Sequence, residues 1–132
     1  MIVLDTSALV EFLVGADVIA ERVRAASIGQ QLAAPCAVDL ECASTLRGLA
    51  IGGKLPADEG KRALDLLGRM TLKRYDHVPL LPRSWELRHN MWPYDAAYVA
   101  LAESLGVDLL TVDSKLGGAP GLKCVVRNLR GD

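Results

Sequence analysis

The sequence predicts an α/β fold built around a mainly parallel sheet. Short apolar segments, typical of buried strands, alternate with longer segments whose apolar residues recur every three or four positions, as in helices. Strands that are covered on both faces and joined through helices are characteristic of parallel sheets. The length of 132 residues suits one domain, and no repeat, low-complexity tract or linker divides the chain.

The first half of the chain is predicted to contain two strands and a series of helices. The apolar residues 2–4 form a strand that ends at Asp5, and residues 31–34 form a second strand that is stopped by Pro35. A glycine pair at Gly52 ends one helix, and Pro56 suits the first turn of the next. The spacing of apolar residues predicts helices over 8–15, 18–26, 36–50 and 56–70.

The second half continues the alternation of strands and helices. Strands are predicted over 72–78, 108–112 and 122–126. Pro82 opens a short helix that runs to His89, and a strongly helical segment runs from Asp95 to Leu105, where Gly106 ends it. The strand over 108–112 stops at Asp113.

Composition excludes several classes of protein. The chain is 51% hydrophobic, which excludes disorder as a description of the whole. Its net charge of -1, with 15 basic and 16 acidic residues, lacks the strongly basic character of a dedicated nucleic-acid clamp, although a local basic patch remains compatible with it. Three cysteines without a C-x-x-C pair argue against a disulfide scaffold and a four-cysteine zinc site.

The sequence predicts a cytoplasmic protein that does not bind a membrane. Its N-terminus has no basic segment before an apolar run, which a signal peptide requires. No stretch approaches the roughly 20 apolar residues that span a bilayer.

Four acidic residues occupy positions that favour a metal site. Asp5 and Asp113 each follow a strand, where ligands bind in parallel sheets, while Asp95 begins a helix and Glu41 lies inside an apolar one. Four carboxylates in one cleft require a cation to remain ionised, and Mg²⁺ or Mn²⁺ is the cation that oxygen ligands prefer. Each residue also has a structural interpretation. Asp5 and Asp95 would cap helices, Asp113 would form a turn, and Glu41 would pair with Arg47.

Four segments resemble the PIN-domain ribonucleases of the VapC toxin type. They are residues 3–10 (VLDTSALV), 39–47 (DLECASTLR), 95–102 (DAAYVALA) and 110–113 (LTVD). The resemblance implies a PIN-like three-layer α/β/α sandwich that occupies residues 1–132 as one domain. It also implies a Mg²⁺ or Mn²⁺ cofactor, endonucleolytic RNA cleavage, a homodimer and a cognate VapB-type antitoxin. DNA would be contacted only through that antitoxin.

The resemblance assigns the catalytic and metal-binding roles to Asp5, Glu41, Asp95 and Asp113. A hydrated divalent ion supplies the attacking water and stabilises charge on the phosphoryl and leaving oxygens, so RNA hydrolysis would leave a 5′-phosphate. Either Asp95 or Glu41 would accept the proton of that water.

Six further residues are candidates for supporting or substrate-binding roles. Hydroxyls next to the acids would orient them or contact phosphate, or would only cap helices. The two aromatic residues just before Asp95 would stack on unpaired RNA bases. These candidates are Thr6, Ser7, Thr111, Ser114, Trp92 and Tyr94.

Three other functions remain to be weighed. A phosphotransferase of the dehalogenase type would need a second aspartate two residues after Asp5, where Ser7 stands. A receiver domain would need adjacent early acids and a lysine at a late strand end, and Lys115 does not fit that pattern. The third alternative is a catalytically degenerate PIN-like domain that only binds RNA or a protein partner. The presence of all four acids argues against it, and cleavage of RNA with and without EDTA distinguishes the two.

Overall fold

A computed structural model describes residues 1–131 as a five-stranded sheet in which every pair of neighbouring strands is parallel. The order across the sheet is β3-β2-β1-β4-β5, so β1 is central. Asp132, the last residue of the predicted domain, lies outside the described residues. The strands are β1 (Ile2–Leu4), β2 (Leu32–Pro35), β3 (Leu72–Tyr75), β4 (Leu109–Thr111) and β5 (Val126–Asn128).

Helices cover both faces of this sheet. All three side chains of β1 are buried, and because successive side chains point to opposite faces, both faces must be covered. This is the predicted α/β/α fold. The helices are α1 (Thr6–Val14), α2 (Val18–Ser27), α3 (Val38–Ile51), α4 (Ala57–Arg69), α5 (Leu81–Glu86) and α6 (Pro93–Leu105), and a 3₁₀ turn spans Val78–Leu80.

Three of the predicted elements have a boundary that differs by three or more residues in the structure. The last strand was predicted over 122–126 but begins at Val126, which pairs with Leu109. The predicted strand over 72–78 ends at Tyr75 because the chain turns into the 3₁₀ segment. The helix predicted to reach His89 ends at Glu86 and is followed by turns.

The register of the central strands brings two distant parts of the chain together. Leu4 of β1 lies opposite Leu110 of β4, and the amide of Asp5 donates to the carbonyl of Leu110 at 3.1 Å. The carboxyl ends of both strands therefore lie side by side, and the residues that follow them meet at one edge of the sheet. Within residues 1–131, no helix combines the length and apolarity needed to cross a membrane.

Candidate active site

Four acidic side chains line one cleft of about 690 Å³ at the carboxyl edge of the sheet. Asp5 follows β1, Glu41 lies near the start of α3, Asp95 lies in the first turn of α6, and Asp113 follows β4. Most of the remaining lining carries hydroxyl groups, so oxygen atoms dominate the polar surface of the cleft. The hydroxyl residues of the lining are Thr6, Ser7, Ser44, Thr45, Tyr94 and Tyr98.

Asp5 is buried and held by hydrogen bonds at both carboxylate oxygens. Its Oδ1 accepts from the hydroxyl of Ser7 at 2.7 Å and from the amide of Ala8 at 2.9 Å, so it also caps α1. Its Oδ2 accepts from the hydroxyl of Thr111, a fully buried side chain of β4. The carboxylate therefore has a fixed orientation at the bottom of the cleft.

Glu41 is positioned by a tyrosine of the facing helix. The phenolic hydroxyl of Tyr98 in α6 donates to Oε1 of Glu41 at 2.8 Å. The same hydroxyl lies 2.8 Å from Oγ1 of Thr6, which completes a chain of hydrogen bonds across the cleft wall. Glu41 makes no ion pair with Arg47 in the described chain, where the salt bridges are formed by other residues.

Asp113 lies in a short turn after β4. Its amide donates to Oγ1 of Thr111 at 2.9 Å, and its Oδ1 accepts from the amide of Lys115 at 3.0 Å. Thr111 thus contacts both strand-end acids of the cleft, since its hydroxyl donates to Asp5. The side chain of Asp95 is half-buried in the opposite wall, in the first turn of α6.

The cleft disfavours the ionised form of Asp5, Glu41 and Asp95. Burial raises the pKa of Asp5, and the negative charge of Asp95 adds to that rise. Burial likewise raises the pKa of Glu41, against the hydrogen bond from Tyr98 and together with the charges of Asp95 and Asp5. The pKa of Asp95 is raised by burial and by the charge of Asp113, with Lys115 opposing.

The residues of the cleft fit a hydrated hard cation. Carboxylates and hydroxyls are ligands of Mg²⁺ and Mn²⁺, whereas no cysteine or histidine lines the cleft. Among residues 1–131, no three His, Cys, Asp or Glu side chains are arranged closely enough to hold a metal ion as a group. Mg²⁺ keeps several of its waters and binds directly to only one or two carboxylates.

The structure separates the predicted supporting residues into two groups. Thr6, Ser7 and Tyr94 line the cleft, and Thr111 lies beneath it. Ser114 is exposed in the turn and is not part of the cleft lining, and Trp92 lines a neighbouring apolar groove instead.

Sequence reasoning did not assign a role to Tyr98, although it fixes the position of Glu41. Tyr98 lies three residues after Asp95, on the same side of α6, and it is 1% exposed. A large tyrosine among the small residues of segment 95–102 was the available signal. Asp39, close to Glu41 in sequence, instead forms an ion pair with Arg74 at 2.8 Å.

The sequence matches a known protein family over most of its length. The PIN domain matches residues 2–121. The chain belongs to the PIN-domain family. Two relatives extend the likeness over nearly the full chain. Ribonuclease VapC1 of Mycobacterium tuberculosis (strain CDC 1551 / Oshkosh) is 39% identical over 129 residues, which cover 97% of both chains. Ribonuclease VapC9 of the same strain is 42% identical over 126 residues, covering 96% of both.

Solved structures of low sequence identity share the fold of this PIN domain. A toxin-antitoxin complex from Klebsiella pneumoniae contains a chain with a TM-score of 0.69 and 19% identity, with 100% of both chains covered. FitAcB from Neisseria gonorrhoeae gives a TM-score of 0.69 at 18% identity and covers 98% of this chain and 99% of that one.

Proposed function

We propose that this PIN-domain protein is a Mg²⁺- or Mn²⁺-dependent endoribonuclease and the toxin of a toxin-antitoxin pair. The observation that carries the proposal is the convergence of Asp5, Glu41, Asp95 and Asp113 on one hydroxyl-lined cleft. The names of its relatives, both ribonucleases, give the substrate class. The two catalytic histidines of a metal-independent ribonuclease are lacking in this cleft, since His77 and His89 are exposed outside its lining.

The side chains of the cleft have separable roles in this reaction. Asp5 is held rigidly by Ser7, Ala8 and Thr111, so it provides a fixed anionic ligand. Glu41 has Oε1 occupied by Tyr98, which leaves Oε2 to face the cleft. The other two carboxylates are Asp95, at the start of α6, and Asp113, after β4. They lie close enough for the charge of Asp113 to raise the pKa of Asp95.

These carboxylates would bind a divalent cation, and the cation would relieve their mutual repulsion. When bound, Mg²⁺ or Mn²⁺ supplies an activated water and stabilises negative charge on the phosphoryl and leaving oxygens. Attack of water on the phosphorus leaves a 5′-phosphate and a 3′-hydroxyl and does not involve the ribose 2′-hydroxyl. Tyr94, exposed at the mouth of the cleft, offers an aromatic face to an unpaired base.

An RNA cleavage assay tests this function. The purified protein is incubated with total RNA in Mg²⁺, in Mn²⁺ and in EDTA, and the product ends are mapped. We expect discrete cuts with 5′-phosphate ends in either metal and none in EDTA. Cuts that persist in EDTA, or products with a 2′,3′-cyclic phosphate, would contradict the mechanism. RNA binding without cleavage in any metal would instead favour the catalytically degenerate alternative.

The helical hairpin of α3 and α4 is the proposed binding surface for a VapB-type antitoxin. Ile51, Leu64 and Leu66 are exposed there, and an amphipathic helix would cover such apolar residues. An antitoxin arginine that reaches the carboxylates would compete with the metal. Co-expression with the neighbouring operon product should yield a stable complex with reduced RNA cleavage, and unchanged cleavage in that complex would contradict the assignment. DNA would be bound only through the antitoxin.

The face formed by α5 and the turns after it is the proposed homodimer interface. Leu81, Trp85 and Trp92 are 53%, 69% and 76% exposed around an apolar groove of about 760 Å³. A second copy that covers this groove would remove large aromatic surfaces from water. Light scattering after size-exclusion chromatography should give twice the mass of one chain, and Trp85→Glu should give a monomer. A wild-type chain that is monomeric at high concentration would contradict this interface.

The remaining parts of the proposal are the extent of the domain and its compartment. We take all 132 residues as a single PIN domain, because one sheet extends from Ile2 to Asn128. We also propose that this domain acts in the cytoplasm. Limited proteolysis should release no stable fragment, and cell fractionation should recover the protein with the cytoplasmic fraction.

A further inference from the structure

A second groove, of about 720 Å³, lies at the β5 edge of the sheet and is lined by three arginines. Arg22 comes from α2, Arg127 from β5, and Arg130 from the segment that follows β5. We call this surface the arginine groove. All three side chains are exposed, so the groove presents three positive charges to solvent.

A short chain of hydrogen bonds connects the arginine groove with the carboxylate cleft. Nε of Arg130 donates to the carbonyl of Val112 at 2.9 Å. The amide of Val112 donates to the hydroxyl of Ser7 at 3.1 Å, and that hydroxyl donates to Asp5 at 2.7 Å. Arg130 is thus separated from the Asp5 carboxylate by the backbone of one residue and one serine side chain, and both surfaces lie at the carboxyl edge of the sheet.

Hydrogen bonds fix the shape of the arginine groove while its charges stay available. Arg22 donates to the carbonyls of Leu129 and Arg130, both at 3.2 Å, which ties the segment after β5 to α2. Arg127 makes no side-chain hydrogen bond within residues 1–131. In the same described part of the chain, none of the three arginines has a carboxylate within ion-pair distance.

The charge distribution explains why such a groove is needed beside the cleft. A polyanion approaching the four acids is repelled until a cation is bound, and the net charge of -1 gives the whole chain no general attraction for it. Arginine binds phosphate through paired N–H donors, and three arginines along one groove suit a chain of successive phosphates. The groove lacks aromatic side chains, so it would contact the backbone of a nucleic acid, not its bases.

We propose that the arginine groove binds the phosphates of single-stranded RNA on one side of the cleavage position, with Arg127 and Arg130 as direct contacts. The proposal rests on the ribonuclease function proposed above and adds to it the path of the substrate. A strand that leaves the cleft past Asp113 would run over Arg130 and then Arg127 along the edge of β5.

Binding of a fluorescein-labelled single-stranded RNA of mixed sequence, measured by anisotropy in EDTA, tests the groove without cleavage. Arg127→Gln should weaken binding about fivefold near 0.1 M salt, because each lost phosphate contact lowers the salt slope of single-strand binding by about 0.7. Arg127→Glu should weaken it further. Arg62→Gln is the matched control, since Arg62 is an exposed arginine on α4 that lines neither surface.

Cleavage kinetics give a second measurement in Mg²⁺ or Mn²⁺. Arg127→Gln should raise KM by a similar factor and leave kcat unchanged, as expected for a contact made equally in the ground and transition states. Equal binding and equal salt slopes for wild type, Arg127→Gln and Arg62→Gln would overturn the groove proposal, even if the wild type cleaves RNA.

The two proposals fail in different ways. If the wild type cleaves no RNA in either metal but Arg127→Gln still loses affinity, the groove is supported as an RNA-binding surface and the ribonuclease function is wrong. If the wild type binds no RNA in EDTA and Arg127→Gln cleaves with an unchanged KM, the groove proposal is wrong and the ribonuclease function stands. A loss of binding by Arg62→Gln equal to the loss at Arg127 would indicate only a net-charge effect and would also overturn the groove.

Discussion

Tyr98 donates its hydroxyl hydrogen to Glu41 across 2.8 Å, joining α6 to α3 over the wall of the carboxylate cleft. The tyrosine is 1% exposed, and its oxygen also contacts Thr6 at 2.8 Å. Burial raises the pKa of Tyr98, which favours the protonated phenol that donates to Glu41.

Tyr98→Phe should reduce metal affinity and RNA cleavage by about 10- to 100-fold, the usual effect of losing a partner that orients a metal ligand. Without the hydroxyl, Glu41 loses its fixed direction although its charge remains. Calorimetric titration with Mn²⁺ measures the affinity separately from activity. Tyr75→Phe is the control, because the hydroxyl of Tyr75 has no hydrogen bond within residues 1–131. Equal Mn²⁺ affinity in the two variants would remove the positioning role of Tyr98.

Asp5→Asn should lower RNA cleavage by more than about 100-fold if Asp5 is a direct ligand of the proposed cation, whereas losing an orienting partner costs about 10- to 100-fold. The thermal midpoint in EDTA should be equal to or above that of the wild type. Burial and the charge of Asp95 raise the pKa of Asp5, so its ionised form is disfavoured in the folded chain, and a neutral amide relieves that cost. Asp58→Asn, on the exposed surface of α4, should leave cleavage unchanged.

Thr111→Val should destabilise the fold by about 1–3 kcal/mol, because the carboxylate of Asp5 loses a donor and the amide of Asp113 loses an acceptor inside the protein. Valine matches threonine in shape, so packing is preserved. Thr111→Ser keeps the hydroxyl and is the matched comparison. Urea unfolding of the three proteins measures the free energies. If the serine variant were the less stable of the two, the methyl group and not the hydroxyl would account for the effect.

Glu103→Gln should remove part of the acid sensitivity of folding and cost about 1–3 kcal/mol at neutral pH. Glu103 accepts from Arg83 at 2.7 Å and from the amide of Lys123 at 2.7 Å. Although burial opposes them, these donors hold the pKa of Glu103 below its ordinary value of 4.5. The stabilisation is therefore complete above that value and is lost as pH falls through the lower pKa of the folded chain.

Unfolding by urea at a series of acidic pH values compares wild type with Glu103→Gln. The difference in stability should shrink as the pH falls below about 4.5 and should be constant above it. Glu59→Gln removes a carboxylate at the exposed start of α4 and serves as the control. A difference between wild type and Glu103→Gln that stays constant into strong acid would contradict the role given to the Arg83 pair.

The sequence predicted those features of the fold and the cleft that depend on residues close together in the chain. Asp5 and Asp113 were placed correctly relative to the sheet, because parallel strands end at one edge and both acids directly follow apolar segments. The last strand was misplaced because four of the residues 122–126 are apolar, whereas only pairing with Leu109 determines that the strand begins at Val126.

Interactions between distant side chains were beyond such reasoning. Tyr98 looks like an ordinary core residue of an apolar helix, and nothing nearby in the sequence indicates that its hydroxyl meets Glu41. Trp92 precedes Asp95 closely but lines the groove beside Trp85, since it lies just outside the first turn of α6 that brings Asp95 to the cleft. The direction of a side chain at a helix start depends on packing and not on sequence spacing.

The hydrogen bond from Thr111 to Asp5 connects residues that are 106 positions apart. During synthesis, Asp5 emerges from the ribosome long before its partner on β4, and Asp113 emerges later still. A nascent chain that ends before β4 lacks both the donor that fixes Asp5 and one of the four acids, so the carboxylate cleft can be completed only after β4 and Asp113 have been synthesised and have joined β1.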